Sequence, residues 1–249
     1  MYPRLFGIFD SYVVMIVIGI IAAFTLLIVY FKKNQFSKND IIDLLICSSF
    51  AIAFGIIGAL VFEAIYERHW NWGLTFYGGL FGGIAGFLFV YYVFIRKSST
   101  LKIAEVFKIA PPAITIGHAF GRIGCFLDGC CYGKPTTSWI GVKFPLLSEP
   151  VIPTQLIESA FLFLLTGILL VLVLVFKFKY TFIVYLGSYS IFRFIIEFFR
   201  GDDRGNFLGI FSPSQVWSMF IWVIIVPFFF VLKKLVFVEK KPDDKEQNN

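Results

Sequence analysis

Two stretches of this chain put charge among apolar neighbours. In "FRFIIEFFR", residues 192–200, Arg193, Glu197 and Arg200 stand four and three residues apart, a spacing that sets them on one helical face. In "GHAFGRIGCFLDGCCYGKP", residues 117–135, His118 precedes Arg122 by one helical turn, and Cys125, Cys130 and Cys131 follow as C-x4-C-C. A guanidinium grips phosphate oxygens through paired hydrogen bonds, so several arginines at similar depth suggest a site for a phosphate group. His118 has a ring that can exchange a proton near neutral pH. Each feature also has a plainer reading: Arg193 and Glu197 satisfy each other, Arg200 snorkels to an interface, and His118 is a satisfied buried side chain.

These residues sit in a chain of 249 residues, 58% of them hydrophobic, with a mean hydropathy of +0.82. Apolar runs at 12–31, 44–62, 74–95, 159–176, 180–192 and 214–232 approach the roughly 20 residues a helix needs to cross hydrocarbon. A weaker run at 103–121 is interrupted by Glu105, Lys108 and Pro111–Pro112. The expectation is an all-α polytopic membrane protein with about seven transmembrane helices. The first run is too long for a signal-peptide core and no cleavage site follows it, so it is read as retained, with the mature chain starting at Met1.

Lys32, Lys33 and Lys38, then Arg96, Lys97, Lys102 and Lys108, then Lys177 and Lys179, then Lys233, Lys234, Lys240, Lys241 and Lys245 occupy alternate loops. The other loops carry fewer basic residues. The positive-inside rule then places the N-terminus outside and the C-terminus in the cytoplasm. The same clusters account for the net charge of +6 without nucleic acid, which is not expected as a partner.

No repeat or second core interrupts residues 1–238, which read as a single integral-membrane domain; the charged tail at 239–249 reads as disordered. The longest polar-leaning connection, 122–154, falls on the outer side. In "YGGLFGGIAG", the pairs Gly78/Gly82, Gly79/Gly83 and Gly82/Gly86 have small-xxx-small spacing and suit close helix packing, while Tyr77-Gly78-Gly79 could also open a helix toward an anion. Cys47 reads as a packing residue and His69 as an ordinary interfacial one.

The cysteine trio leaves several readings open. C-x4-C-C lacks the paired C-x2-C hooks of a structural zinc site, so no metal or organic cofactor is indicated. A disulfide involving Cys125 is permitted outside the membrane, and Cys130-Cys131 bridges only with strain. Packing, direct thiol chemistry or a metal complete the choices.

"GRIGCFLDGCCYGKP" resembles the signature of the prolipoprotein diacylglyceryl transferase family, G-R-x-G-N-F-x-N-x-E-x-x-G, matching at Gly121, Arg122, Gly124, Phe126 and Gly133. "YGGLFG" at 77–82 resembles the family's H-G-G-L-x-G, "PTQLIE" at 153–158 its H-P-x-Q-L-Y-E, "FRFIIEFFR" its F-R-x-x-x-E-x-x-R, and "SYVVM" at 11–15 its S-Y-G-L-M. The matches fall in the family's order. Cys125, Asp128, Cys130, Tyr77 and Ile152 stand where Asn, Asn, Glu, His and His are usual, which resembles a divergent, cysteine-rich branch.

The resemblance implies transfer of the diacylglyceryl group of phosphatidylglycerol to the thiol of a lipobox cysteine in preprolipoproteins, at a site facing the outer leaflet of the bacterial inner membrane. It implies that Arg122 and Arg193 clamp the head group, that Glu197 holds Arg193, that Arg200 and Gly133 shape the outer rim, and that Tyr12, Tyr77, Gly78 and Gly79 bind substrate. With Tyr77 in the usual His position, either His118 supplies the base or the arginines lower the thiol pKa themselves. The alternatives are a family member acting on another acceptor, and a non-enzymatic protein that binds or transports anionic lipid.

Overall fold

The computed structural model describes residues 4–5, 9–67, 76–96, 101–201 and 211–238. The connection bearing His69, the segment bearing Arg204 and the tail at 239–249 lie outside them. After a short antiparallel pair, β1 (Arg4–Leu5) and β2 (Phe9–Asp10), come seven long helices among the described residues. They are α1 (Ser11–Lys33), α2 (Lys38–Glu67), α3 (Phe76–Val90), α4 (Ile103–Asp128), α5 (Thr154–Leu174), α6 (Thr181–Ile196) and α7 (Pro213–Val238). All except α4 are long and apolar enough to cross a membrane, α3 when continued through the π-helical turn Tyr91–Ile95 and α6 through the 3-10 turn Glu197–Phe199. The chain is a helical, multi-pass membrane protein, and its exposed Val, Ile, Leu and Phe side chains form the surface such helices turn to lipid.

The described chain divides into two compact units, Ile28–Val106 and Met1–Leu27 with Phe107–Asn249. In the first, a capping box starts α2: the Asp40 N–H donates to Ser37 Oγ (3.1 Å) and the Ser37 N–H to Asp40 Oδ2 (3.1 Å). Glycines then let α2 and α3 touch backbone to backbone. A Cβ on Gly55 would lie 3.2 Å from the Gly79 carbonyl oxygen, and one on Gly83 would lie 3.2 Å from that of Ala51; Gly58 and Gly82 approach even closer. The small-residue spacing therefore does pack helices. Cys47 is fully buried in α2.

In the second unit, α4 survives its two prolines because α6 completes its backbone. Pro112 has no N–H to offer the Lys108 carbonyl one turn earlier, and Thr181 Oγ1 donates to that oxygen at 2.6 Å. Thr115 Oγ1 reaches the Pro111 carbonyl at 3.0 Å and lies 2.7 Å from Thr166 Oγ1 of α5. Ser159 Oγ of α5 donates to the Ala119 carbonyl at 3.0 Å. Small hydroxyls thus join α4 to α5 and α6 where lipid could not satisfy the backbone. On the other side, Gly124 admits α1: a Cβ there would lie 3.1 Å from Tyr12 Cδ2 and 3.2 Å from Met15 Cβ.

Between α4 and α5 the chain folds as a backbone sandwich. The Gly133 N–H donates to the Ile152 carbonyl (2.8 Å), the Ile152 N–H to Lys134 O (3.0 Å), and the Lys134 N–H to Phe199 O (2.8 Å). A Cβ on Gly133 would meet Phe199 O at 2.7 Å and Ile152 O at 2.8 Å. Gly133→Ala should therefore destabilise the protein by about 1–3 kcal/mol, as overpacking does. The check is thermal unfolding in detergent, where an unchanged midpoint would contradict this.

Candidate active site

The site is built around a carboxylate that the sequence reading left without a role. Glu158, on the second turn of α5, is fully buried. Its Oε2 lies 2.6 Å from Arg122 Nη2 of α4 and 3.6 Å from Arg193 Nη1 of α6. Its Oε1 accepts a hydrogen bond from Tyr189 OH at 2.9 Å and lies 3.8 Å from His118 Nε2. Arg122 and Arg193, 71 positions apart by their numbers, thus converge on one buried group.

Local sequence explains why each reaches that point. His118 and Arg122 are one turn apart on α4; Tyr185, Tyr189 and Arg193 repeat every four residues on α6, with the two tyrosine rings stacked at 6.0 Å. The His118 ring packs edge-on against Tyr189 at 5.3 Å. Arg193 Nη2 is held from both sides, 2.9 Å from Glu197 Oε2 and 2.9 Å from Ser214 Oγ. Ser214 is placed by the capping box that starts α7, in which the Ser212 N–H donates to Gln215 Oε1 at 3.1 Å and the Gln215 N–H to Ser212 Oγ at 3.3 Å. The Arg193–Glu197 pair read from the sequence exists, and it is one contact in a larger network.

That network does not use up the guanidinium donors. The Arg122 and Arg193 side chains are 11% and 10% exposed. Arg122 Nε and Arg193 Nη1 find no hydrogen-bond acceptor among the described residues, the latter meeting Glu158 only as an ion pair. Glu158 Oε2 and Glu197 Oε2 are likewise buried without a full hydrogen bond, so charge rather than complete hydrogen bonding holds this cluster, and an unmatched buried N–H there is costly.

Arg200 corrects an expectation. It does not continue the face of Arg193 and Glu197, because α6 ends at Ile196, tightens through a 3-10 turn at Glu197–Phe199, and leaves Arg200 extended at φ −74°, ψ 145°. The helix stops because the backbone has other partners: Lys134 N–H takes the Phe199 carbonyl, and Gly201 N–H donates to Tyr132 O at 3.2 Å. Arg200 is buried opposite Gly133.

The end of α4 gathers the cysteines. Cys130 N–H donates to Cys125 O (3.1 Å) and Gly129 N–H to Phe126 O (3.2 Å), with Gly129 at φ 82°, the paired bonds of a Schellman cap. Such a cap brings the residue three before the cap position and the one two after it together, and here those residues are Cys125 and Cys130. Cys131 follows at φ 64°, and its carbonyl accepts from Thr154 Oγ1 (2.9 Å) while that of Cys130 accepts from Gln155 Nε2 (2.6 Å). None of the four cysteines is joined in a disulfide. Hydrogen bonds from Cys125 and Cys130, with the Arg200 guanidinium nearby, hold the Cys131 thiol well below the ordinary thiol range; the same trio pushes Cys130 up. Tyr12 lies within electrostatic reach of the three sulfurs and of Arg122.

Tyr77, Gly78 and Gly79 belong to the other unit. Gly78 and Gly79 lie in the first turn of α3 against α2, and the Tyr77 side chain is outside the described residues. Glu158, Tyr189, Ser214 and Gln155 are the participants that sequence reasoning missed. Glu158 closes the "PTQLIE" motif, and the four-residue repeat Tyr185-Tyr189-Arg193 was the available signal for Tyr189.

The family model for prolipoprotein diacylglyceryl transferase matches residues 5–231. A phosphatidylglycerol–prolipoprotein diacylglyceryl transferase of Clostridium tetani is 34% identical over 245 residues, covering 90% of this chain and 95% of the relative. A second such protein, from Clostridium perfringens, is 33% identical over 232 residues, covering 86% and 87%. One from Dehalococcoides mccartyi is 27% identical over 256 residues, covering 95% and 92%. With the motifs in order along the chain and both signature arginines gathered on one buried carboxylate, the chain belongs to the prolipoprotein diacylglyceryl transferase family.

Proposed function

We propose that this protein transfers the diacylglyceryl group of phosphatidylglycerol to the thiol of a lipobox cysteine in preprolipoproteins. The observation that carries the reading is the convergence of Arg122 and Arg193, each with a buried N–H still lacking an acceptor. The thiol sulfur attacks the glycerol carbon that bears the phosphate; a C–S bond forms, the C–O bond breaks, and its electron pair leaves on glycerol 1-phosphate. Negative charge grows on the departing oxygens, where guanidinium donors fixed in a site with little water stabilise it most. Glu158, Glu197 and Ser214 position the two arginines. Arg200 and Gly133 frame the loop beyond, and Tyr12 contacts the lipid. Tyr77, Gly78 and Gly79 keep the substrate-binding role that their motif assigns.

The protein works in the bacterial inner membrane, with seven spans, the N-terminus outside, a cytoplasmic C-terminus and the reaction on the outer leaflet; lipid and lipoprotein precursor, not nucleic acid, are its partners. The distribution of Lys and Arg among the loops supports this orientation. The test is incubation of the purified protein with labelled phosphatidylglycerol and a lipobox peptide. Labelled thioether and free glycerol 1-phosphate are expected in equal amounts. Lipid that is bound or moved but stays intact would overturn the reading in favour of a transport protein.

His118 takes the thiol proton in this scheme. The support is its place 3.8 Å from Glu158 and one turn from Arg122, largely buried beside the arginines. His118→Gln should lower the rate by about 10²-fold, the lower end for a positioned acid or base, and flatten the pH–rate profile below neutrality. An unaltered profile would leave deprotonation to the field of the arginines.

A further inference from the structure

We propose that Cys125, Cys130 and Cys131 form a binding site for a thiophilic divalent cation of the zinc class, with three thiolate ligands and an open fourth position. The three sulfur atoms lie within 4.8 Å of one another. Zinc–sulfur bonds of about 2.3 Å in a tetrahedron set sulfurs roughly 3.8 Å apart, so closing on an ion asks each thiol to move by less than its own radius. Among the described residues no His, Asp, Glu or further Cys joins the group. An all-sulfur donor set selects soft or borderline ions over magnesium and calcium, and three protein ligands are the complement of zinc sites that exchange a ligand.

The cluster is prepared by backbone geometry. Paired hooks in structural zinc sites hold two cysteines three positions apart; here the Schellman cap does the same for two cysteines five apart, through the bonds from Cys130 and Gly129 back into α4. Cys131 is turned by its left-handed conformation, φ 64°, which a side-chain-bearing residue adopts at a cost. Gln155 and Thr154, at the start of α5, pin the carbonyls of Cys130 and Cys131 and so fix the outer shell of the site. Three thiolates around a divalent ion keep one negative charge, and cations stand ready to offset it. Arg122 Nη1 lies 4.0 Å from Cys125 Sγ, and the Arg200 guanidinium hydrogen-bonds Cys131. None of this depends on the transferase reading.

The experiment uses the full chain in detergent, reduced, stripped with a chelator and titrated with cobalt(II) under anaerobic conditions. A thiolate-to-cobalt charge-transfer band saturating at one ion per chain and bleached by zinc is expected. Cys125→Ser, Cys130→Ser and Cys131→Ser should each weaken binding by more than the roughly 10–100-fold that loss of an outer-shell partner costs. Cys47→Ser should bind normally. Because a serine at the helix end could disturb folding, cadmium is also expected to raise the unfolding temperature of the native chain and of Cys47→Ser, and not of the other three. Absence of the band, or an equal band in Cys125→Ser, would overturn the proposal. So would recovery of a Cys125–Cys130 disulfide from protein isolated without reductant that takes up no cobalt once reduced, an outcome that would make the trio a redox element.

Discussion

Diacylglyceryl transfer by the Arg122→Ala variant is expected to fall by on the order of 10²–10³-fold, about 2.7–4 kcal/mol of transition-state stabilisation, the range for removing one fixed donor from a developing anion. The effect should appear in kcat more than in KM, because the charge that Arg122 meets is greatest as the phosphate departs. Arg122→Lys should recover little of it: a lysine ammonium is a point charge that cannot face Glu158 with one nitrogen and a phosphate with another. Initial rates of thioether formation, normalised to folded protein, give the answer. If Arg122 only braces the helices, Arg122→Ala would yield less folded protein while each folded molecule kept its rate.

Glu158→Gln should act on folding and catalysis together. The carboxylate is fully buried and faces both Arg122 and Arg193. Taking its charge away leaves Arg122 without a carboxylate among the described residues and Arg193 with Glu197 alone, and breaking a buried pair in this way typically costs about 3–5 kcal/mol. Gln keeps an oxygen for Tyr189, so the loss isolates the charge. A lower unfolding midpoint in detergent is expected, with transfer falling about as far as in Arg122→Ala because Arg122 loses the group that aims it, while Arg193 keeps Glu197 and Ser214. Adding Arg193→Gln to Glu158→Gln should then cost less than the two single losses combined, by about 0.5–3 kcal/mol of coupling. Strict additivity would mean that Glu158 and Arg193 do not act as a unit.

Hydropathy made the spans legible, because a lipid-facing helix must be apolar along its whole length, and six of the helices read this way. The arginines were legible for the same reason in reverse: charge stands out in such surroundings. Glu158 did not stand out, since "PTQLIESAF" opens a span where polar residues are expected. Its importance arises from three helices meeting, which no local pattern records. Periodicity misplaced Arg200: spacing alone continues a helix, whereas the competing backbone bonds come from Tyr132 and Lys134, far away in sequence. The cysteines show a related limit. Read as ligand spacing, C-x4-C-C resembled no familiar hook, because the hook is a helix terminus whose geometry depends on Gly129 turning left-handed.

The proline pair of α4 bears on how the chain is made. When α4 leaves the ribosome, the hydroxyl that will serve the Lys108 carbonyl belongs to Thr181, 73 residues downstream and not yet synthesised. Until then this segment carries an unmet acceptor together with Glu105 and Lys108, and a translocon would release it into lipid at a penalty. Insertion of α4 should therefore await α6, so that a nascent chain truncated before Thr181 would hold this segment accessible to water-soluble labels and one extended past α6 would not.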